Sequence, residues 1–280
     1  MMVTTEIPVL LRFQNECGQA AVFSMIGLVL LFLGVVLLAQ VGLLTHHARH
    51  SQAVADSSAL SGAVTQAATL NRMTRLNDQI VEAFQELETV CAVTIFPNRE
   101  SARLAIDIYK TKVEWIRATM KQANVSGAHL AQTHAALICS LNSQGEALFE
   151  YLGTEDLMNH VVPEAFTRWQ TRQIVYQYLD VVAGVVVIIV ETDSVPVWLE
   201  KHSPCLTAFA AGSRWPGKPG FKADKTLGLL PPWRTAAQAK PYGGHIFHPN
   251  PNYRAKLIAL NTPYSPFRRR WGNKATHYEH

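Results

Sequence analysis

Residues 17–67 read CGQAAVFSMIGLVLLFLGVVLLAQVGLLTHHARHSQAVADSSALSGAVTQA, and this stretch carries the strongest structural signal in the sequence. Its core, residues 20–44, is 25 residues long and contains no charged side chain. As a helix it would measure about 38 Å, which is enough to cross the ~30 Å hydrocarbon layer of a bilayer with some tilt. The sequence therefore predicts a membrane helix over residues 18–45.

A cleaved secretory signal is the alternative interpretation, because Ala53-Val54-Ala55 has the small-x-small form that signal peptidase accepts. The apolar region of such a signal has about 7–15 residues, which is shorter than the run found here. The cut would also lie well beyond the apolar run. No second stretch is long enough to span a membrane, since residues 181–190 are flanked by Asp180 and Glu191. We therefore favour a retained, single-pass anchor.

Small residues on this helix are typical of close packing against another helix. Gly27, Gly34 and Gly42 fall on one side of the membrane segment, although glycine is also simply frequent in membrane helices. From Ala53 to Ala68, ten of sixteen residues are Ala, Ser or Gly, so the helix should continue past the membrane and pack closely there too. The candidate packing residues in that part are Ala55, Asp56, Ala59, Gly62 and Ala63.

Apolar periodicity predicts three amphipathic helical segments that form an antiparallel helical layer. The first has a seven-residue repeat and ends at Pro97-Asn98. The second covers residues 100–123, and the third covers residues 126–148. The apolar faces are Met73, Leu76, Ile80, Ala83, Leu87 and Val90, then Ile106, Tyr109, Val113, Ile116 and Met120, then Leu130, His134, Leu137, Leu141 and Leu148.

Strands are predicted after Arg168. Residues 173–178 alternate, and residues 185–190 form an unbroken branched run that is typical of a strand buried on both faces. From Pro196 onward the chain holds 11 of its 14 prolines, which favours loops with short strands at most. The predicted class is α+β: a transmembrane helix extending into a mostly helical body, with a few strands and a Pro/Trp-rich irregular C-terminal segment. The predicted boundaries are 1–17, 18–45, 46–168, 169–200 and 201–280.

The formal net charge of +4 hides two opposed parts. Residues 1–200 carry 12 Lys/Arg against 19 Asp/Glu, whereas residues 214–280 carry 12 Lys/Arg against 2 Asp/Glu. The basic tail includes Arg268, Arg269, Arg270 and Trp271. In the cytoplasm such a tail would suit nucleic acid, but on the far side of a membrane the anions are lipid headgroups, peptidoglycan and acidic protein surfaces. A solvated tail without a dedicated partner is the alternative.

Catalytic motifs are missing from the sequence: it has no Gly-x-Ser-x-Gly, no Walker-type Gly-Lys-Ser/Thr and no Gly-x-Gly-x-x-Gly. His245/His248 and His277/His280 are spaced i, i+3, but the first pair stands among glycines and prolines and the second at the end of the sequence. We therefore predict no enzyme, no metal site and no cofactor, and keep an anchored metalloenzyme as a remaining alternative.

Cysteines in the body permit a disulfide if the body lies outside the cytoplasm. Cys91 closes the first predicted body helix and Cys139 lies within the third, so antiparallel packing could bring them together. Buried reduced thiols that act as small hydrophobic groups are the alternative.

The N-terminal third resembles a known family. Gly18-Gln19-Ala20-Ala21-Val22 opens into the apolar run, which is followed by the segment QAVADSSALSGA at residues 52–63. Both segments are similar to those of the TadE/TadG-like proteins of tight-adherence (Flp) pilus assembly, and the match covers residues 17–67.

The resemblance implies a single-pass protein of the bacterial inner membrane, with a cytoplasmic N-terminus and a periplasmic body. It implies a structural role as a pseudopilin-like or assembly subunit in an oligomeric machine, with other pilus or secretion proteins and the bilayer as partners. Gly18–Gln19 is the candidate processing site. Phe23 occupies the position where pilin-like precursors have Glu, so the carboxylate that would pair with a neighbouring subunit's N-terminal amine is missing.

Overall fold

The computed structural model describes residues 10–153, 158–162, 167–201, 208–215, 233–243 and 253–258. Those residues form two helices and seven strands, which confirms the α+β class. The elements are α1 Leu10–Val93, β1 Ile95–Phe96, α2 Arg99–Asn142, β2 Leu148–Tyr151, β3 Thr167–Val182, β4 Val185–Lys201, β5 Phe209–Trp215, β6 Trp233–Tyr242 and β7 Arg254–Ile258.

The chain divides into two units, residues 1–50 and 51–280. In the second unit, α1 and α2 pack antiparallel along their whole shared length. Asn142 Nδ2 donates to Ser57 Oγ at 2.7 Å near one end, and Lys112 Nζ lies 3.7 Å from Glu86 Oε2 toward the other. We call these the alanine end and the large-residue end of the helix pair, respectively.

Five residues separate the second helix from the first, and its N-terminus has its own cap. Asn98 Oδ1 accepts from the Ser101 backbone N–H at 2.8 Å, and Ser101 Oγ pairs with the Asn98 backbone N–H in return. This capping box satisfies two of the N–H groups that a helix start leaves free.

The prediction of two separate helices over residues 100–148 is wrong, because α2 runs without a break from Arg99 to Asn142. Gly127, near the start of the expected third helix, lies against α1: a Cβ there would come within 2.3 Å of Thr69 Oγ1. The glycine therefore serves a close helix–helix approach, and packing offsets its helix-propensity cost of about 1 kcal/mol.

The large-residue end has the predicted faces. Ile106, Tyr109, Val113, Ile116 and Met120 are all buried, as expected. On α1 the buried residues include Met73, Ile80, Ala83 and Leu87, whereas Val90 is 45% exposed. Strand residues Ile174, Tyr176, Tyr178, Val195 and Val197 complete this core.

The alanine end differs from the prediction. Leu130, Leu137 and Leu141 of the expected apolar face are exposed, and so is Leu148. Alanines are buried instead, because small side chains let the two helices and a sheet approach closely. The buried cluster here is Ala55, Ala59, Ala63, Ala131, Ala135, Phe209, Ala211, Ala237 and Ala239.

Two sheets cover the helix pair. The first has the order β1-β3-β4, with β1 parallel to β3 and β3 antiparallel to β4. The second is fully antiparallel with the order β2-β5-β6-β7. Three of its strands fall within residues 201–280, so the described parts of that region are strands and not the irregular segment that was predicted.

Candidate functional site

The apolar part of α1 is the largest uncovered apolar surface in the described residues. Most large apolar side chains from Val22 to Leu43 are 50–74% exposed. Within the part of the chain that the structure describes, α1 is the one helix long and apolar enough to cross a membrane. A helix that is apolar on all sides is stable in lipid or when other chains cover it.

The three predicted packing glycines face open space. A Cβ added at Gly27, Gly34 or Gly42 would meet no atom within 4 Å. Within the described residues, the glycine side of the segment is therefore open.

The small-residue stretch after the membrane segment is used inside the chain. Ala55, Ala59 and Ala63 are fully buried against α2 and the second sheet. At Gly62, a Cβ would come within 2.3 Å of the Phe209 ring. These residues therefore pack within their own body, and the surface that they cover is not open to a neighbouring subunit.

Asp56 belongs to the attachment of the second sheet. Its Oδ1 accepts from Gln52 Nε2 at 2.8 Å, and the same amide donates to the backbone oxygen of Ala236 on β6 at 3.1 Å. Next to it, Thr235 Oγ1 donates to the Ser51 backbone oxygen at 3.0 Å. The polar residues at this end therefore fix the sheet to α1.

A charged groove of about 740 Å³ lies between α2 and the β3–β4 hairpin. Glu191 is at its centre: Arg99 Nη2 lies 2.8 Å from Oε1, and Arg99 Nε donates to Oε2 at 3.2 Å. Tyr176 and Tyr178 donate their hydroxyls to the same carboxylate at 2.8 and 3.0 Å. Sequence reasoning missed this cluster, because its members are ordinary polar residues that only the hairpin register aligns.

Hydrogen bonds control the electrostatics of the groove. The Tyr176 hydroxyl, followed by Tyr178 and Arg99, holds the pKa of Glu191 below its ordinary value. Burial and then the Glu191 carboxylate raise the pKa of Tyr176 and Tyr178. The Glu191 carboxylate also raises the pKa of Arg99. The groups thus retain their usual charges at neutral pH.

The groove is balanced in charge. Its cations are Arg99, Arg103 and Lys110, and its anions are Asp107, Glu191 and Asp193. Lys110 Nζ lies 2.6 Å from Asp193 Oδ2, so a second ion pair crosses it. Because the charges compensate one another, the groove clamps the hairpin onto α2 and offers no net attraction to an ion.

A stripe of exposed apolar residues follows the outer side of α2. The residues of this α2 stripe are 51–66% exposed, and they are Leu104, Ile108, Trp115, Leu130, Leu137 and Leu141. Exposed apolar surface of this extent is typical of protein contact sites.

The predicted pairing of the two body cysteines is wrong. Cys91 and Cys139 are both free and buried. Cys139 forms a hydrogen bond with Ser58 of α1. Cys91 is 33 residues further along α1 than Ser58, which is about 50 Å at the helical rise. A disulfide needs Cα atoms within about 7 Å, so the two cannot pair within one chain. Burial raises the pKa of both thiols, which makes them unreactive.

Several predicted residues have no described side chain. Gly18 and Gln19 belong to α1, and their exposure is outside the described set. Residues 268–271 and the histidines at 245, 248, 277 and 280 also lie outside the described residues. Within the described residues, no three His, Cys, Asp or Glu side chains converge to hold a metal ion.

Comparisons with known proteins give no relative: no family model, no curated protein and no solved structure matches this chain.

Proposed function

We propose that this chain is a membrane-anchored structural subunit, pseudopilin-like or an assembly factor, of a tight-adherence (Flp) pilus or a related filament or secretion machine. The observation that carries the proposal is the apolar segment of α1, most of whose large side chains from Val22 to Leu43 are at least half exposed in the described part of the chain. Lipid and the helices of neighbouring subunits are the environments that such a surface requires.

The sequences on either side of this apolar segment support the pilus assignment. The opening at residues 18–22 and the segment at residues 52–63 resemble the TadE/TadG-like family. From that resemblance we propose the bacterial inner membrane, with the N-terminus in the cytoplasm and the body in the periplasm. The α2 stripe, which is exposed and apolar, is a surface through which the body would contact other assembly proteins.

The proposed mechanism is lateral helix packing in the membrane. Gly27, Gly34 and Gly42 let a neighbouring helix approach closely, and small residues drive such contacts in lipid because apolar burial alone does not. The buried alanines of the body hold α1 to α2 and the second sheet, so we confine the contact between subunits to the membrane segment and the body surface.

The anchor is tested by replacing Leu30, Leu31 and Leu33 with Arg in the full chain and measuring extraction from membranes at alkaline pH. Three arginines at the helix centre cost about 8–10 kcal/mol on the insertion scale, so the variant should leave the membrane fraction. The matched control carries arginines at the exposed Leu130, Leu137 and Leu141. Retention of both variants would exclude the anchor.

The packing role is tested with Gly34→Leu, measured by assembly of the machine and by co-purification of its components. The control, Ala39→Leu, enlarges a residue on another side of the same helix. We expect a loss with Gly34→Leu only. Equal behaviour of the two variants would contradict packing through the glycines while leaving the anchor unaffected.

A single-pass adapter is the second candidate function, favoured by the charge of residues 214–280, which carry 12 Lys/Arg against 2 Asp/Glu. Its basic tail would bind peptidoglycan, anionic lipid or an acidic protein surface. Deleting residues 268–271 and measuring binding to sacculi and to anionic vesicles separates it from the pilus role.

A further inference from the structure

The β3–β4 hairpin has one edge that no strand of the described residues covers. Within its sheet the order is β1-β3-β4, so the outer edge of β4 is free. Ala183 and Gly184 form the turn, with φ of 52° and 81°, as in a two-residue type I′ turn. The flanking pair, Val182 and Val185, then exchanges hydrogen bonds, so the even-numbered residues of β4 direct their N–H and C=O groups to the free edge.

The free edge is protected near the base of the hairpin but not near its tip. Pro196 is even-numbered and has no N–H to offer, and Glu191 and Asp193 add charge, all of which discourage pairing. Residues 185–190, VVVIIV, have no charge, no proline and no glycine. That composition is typical of segments that pair with copies of themselves.

These valines and isoleucines contradict the sequence prediction, which buried residues 185–190 on both faces. The face of the ribbon away from the helices carries six apolar side chains, each more than a third exposed. They are Val175, Leu179, Val181, Val186, Ile188 and Val190. Together they form one contiguous apolar patch, and such patches often mark interaction sites.

We propose that a second copy of this chain binds this edge, with β4 pairing antiparallel to β4 around a two-fold axis at Ile188. A two-fold axis perpendicular to the sheet leaves every side chain on the same face of the sheet. Residues that pair across the contact must therefore be an even number of positions apart in sequence, and the residue at the axis pairs with the same residue of the other copy. With Ile188 at the axis, Val186 lies opposite Val190 of the other copy. These three outward-directed residues then exchange their backbone hydrogen bonds in full.

Charge disfavours registers centred nearer the base of the hairpin. With Ile188 at the axis, Glu191 lies opposite Val185 and no carboxylate faces another. An axis at Thr192 would instead place Glu191 opposite Asp193, and like charges directly opposite are destabilising. The apolar faces of the two hairpins would also become continuous. A two-fold contact of this kind needs no second surface, because each copy offers the same edge.

Cysteine cross-linking of the full chain in detergent micelles tests the register. Cys17 and Cys205 are first replaced by Ser, while the buried Cys91 and Cys139 stay. Ile188→Cys should form a disulfide-linked dimer on mild oxidation, because the two introduced thiols would face each other at about 5.5 Å between Cα atoms. Ser194→Cys is the matched control on the same edge and face. Equal cross-linking at both positions, or none at 188, would overturn the proposal.

Co-purification of two differently tagged copies tests the edge itself. Ile188→Lys places two like charges opposite each other and should lower recovery of the second copy about tenfold. Gln173→Lys, on the same exposed face but on β3, should not. Unchanged recovery with Ile188→Lys overturns the proposal.

Labelling of the Ile188→Cys variant with a soluble maleimide separates a second copy from lipid as the occupant of the edge. Pairing between copies should shield the introduced thiol in the absence of vesicles. Shielding that occurs only when phospholipid vesicles are present overturns the proposal, since the occupant would then be lipid. The pairing uses the hairpin alone and holds whether or not the chain serves a pilus.

Discussion

The two ends of the α1–α2 pair are built from different side chains. At the large-residue end, Ile80 and Ile106 are fully buried among aromatic and branched residues of both helices and the hairpin. At the alanine end, Ala59 and Ala135 are equally buried, and Phe209 is the one large side chain of the cluster. The two ends are therefore buried to a similar degree. At one end large side chains fill the space between the elements, and at the other small side chains let the elements lie close together.

We therefore expect the two ends to lose stability in response to opposite changes in side-chain size. A core of large residues loses stability when a side chain shrinks, because the cavity does not collapse fully. A seam of alanines has little to lose by truncation but cannot accept added volume.

Truncation at the large-residue end should have the largest effect. Ile106→Ala removes a fully buried side chain and should lower the free energy of unfolding by about 2–5 kcal/mol. Chemical unfolding of the full chain in detergent, followed by tryptophan fluorescence, measures it. Ile108→Ala, two residues on and 61% exposed, is the control and should have little effect. Equal losses from the two variants would contradict the assignment of the buried face.

Enlargement at the alanine end should come next. Ala59→Leu forces three extra carbons between α1, α2 and the second sheet and should cost about 1–3 kcal/mol of unfolding free energy. The same unfolding measurement applies. Ala68→Leu, on an exposed side of the same helix, should be nearly neutral. If Ala59→Leu were tolerated as well as Ala68→Leu, the close approach of the helices would be wrong.

Removal of a buried amide between the two ends should be slightly milder. Asn124 Nδ2 donates to the Val162 backbone oxygen at 2.7 Å, and Oδ1 accepts the Val162 N–H at 2.8 Å. Asn124→Ala leaves both buried groups unpaired, which should cost about 1–2 kcal/mol and expose this segment to proteolysis. The exposed Asn142, changed to Ala, serves as control. Unchanged protease sensitivity would show that Asn124 does not hold the segment.

The charged clamp of the hairpin should give the smallest effect, visible through pH. The folded pKa of Glu191 lies below its ordinary value of 4.5, chiefly because Tyr176 donates to it. The stability that the ionised Glu191 carboxylate contributes to the folded state is therefore present above the unfolded pKa and is lost as pH falls through the folded pKa. Glu191→Gln should lower the melting temperature at pH 6, and its difference from the parent chain should shrink as the pH falls below 4.5. Glu88→Gln, at an exposed site of α1, should show no such pH dependence.

Parts of this architecture could be predicted from the sequence, and the reason lies in periodicity. The apolar run, the continuing helix, the faces at Ile80 and Ile106, and the alternation at Ile174 and Tyr176 all have a one-dimensional signal. The alanine face of α2 does not, because Leu130 and Leu137 give a stronger apolar stripe on the exposed side. Hydrophobicity alone therefore selected the wrong face.

The charged groove and the free hairpin edge were also beyond sequence reasoning. Glu191 meets Arg99 across 92 residues, and nothing in either neighbourhood marks the pair. The branched run at residues 185–190 predicts a strand correctly but not its exposure. A strand with this composition is buried or open according to whether other elements reach it.

By itself, the sequence determined that this chain has one helix able to cross a membrane, followed by an α+β body, because length and apolar periodicity act locally along the chain. The tertiary structure decided which small residues are already occupied inside the body and which surfaces stay open. The alanines after the membrane segment are covered by α2 and the second sheet, whereas among the described residues nothing covers the three glycines before them and no strand pairs with the outer edge of β4. Those outcomes depend on contacts between residues far apart in sequence, which no local pattern contains.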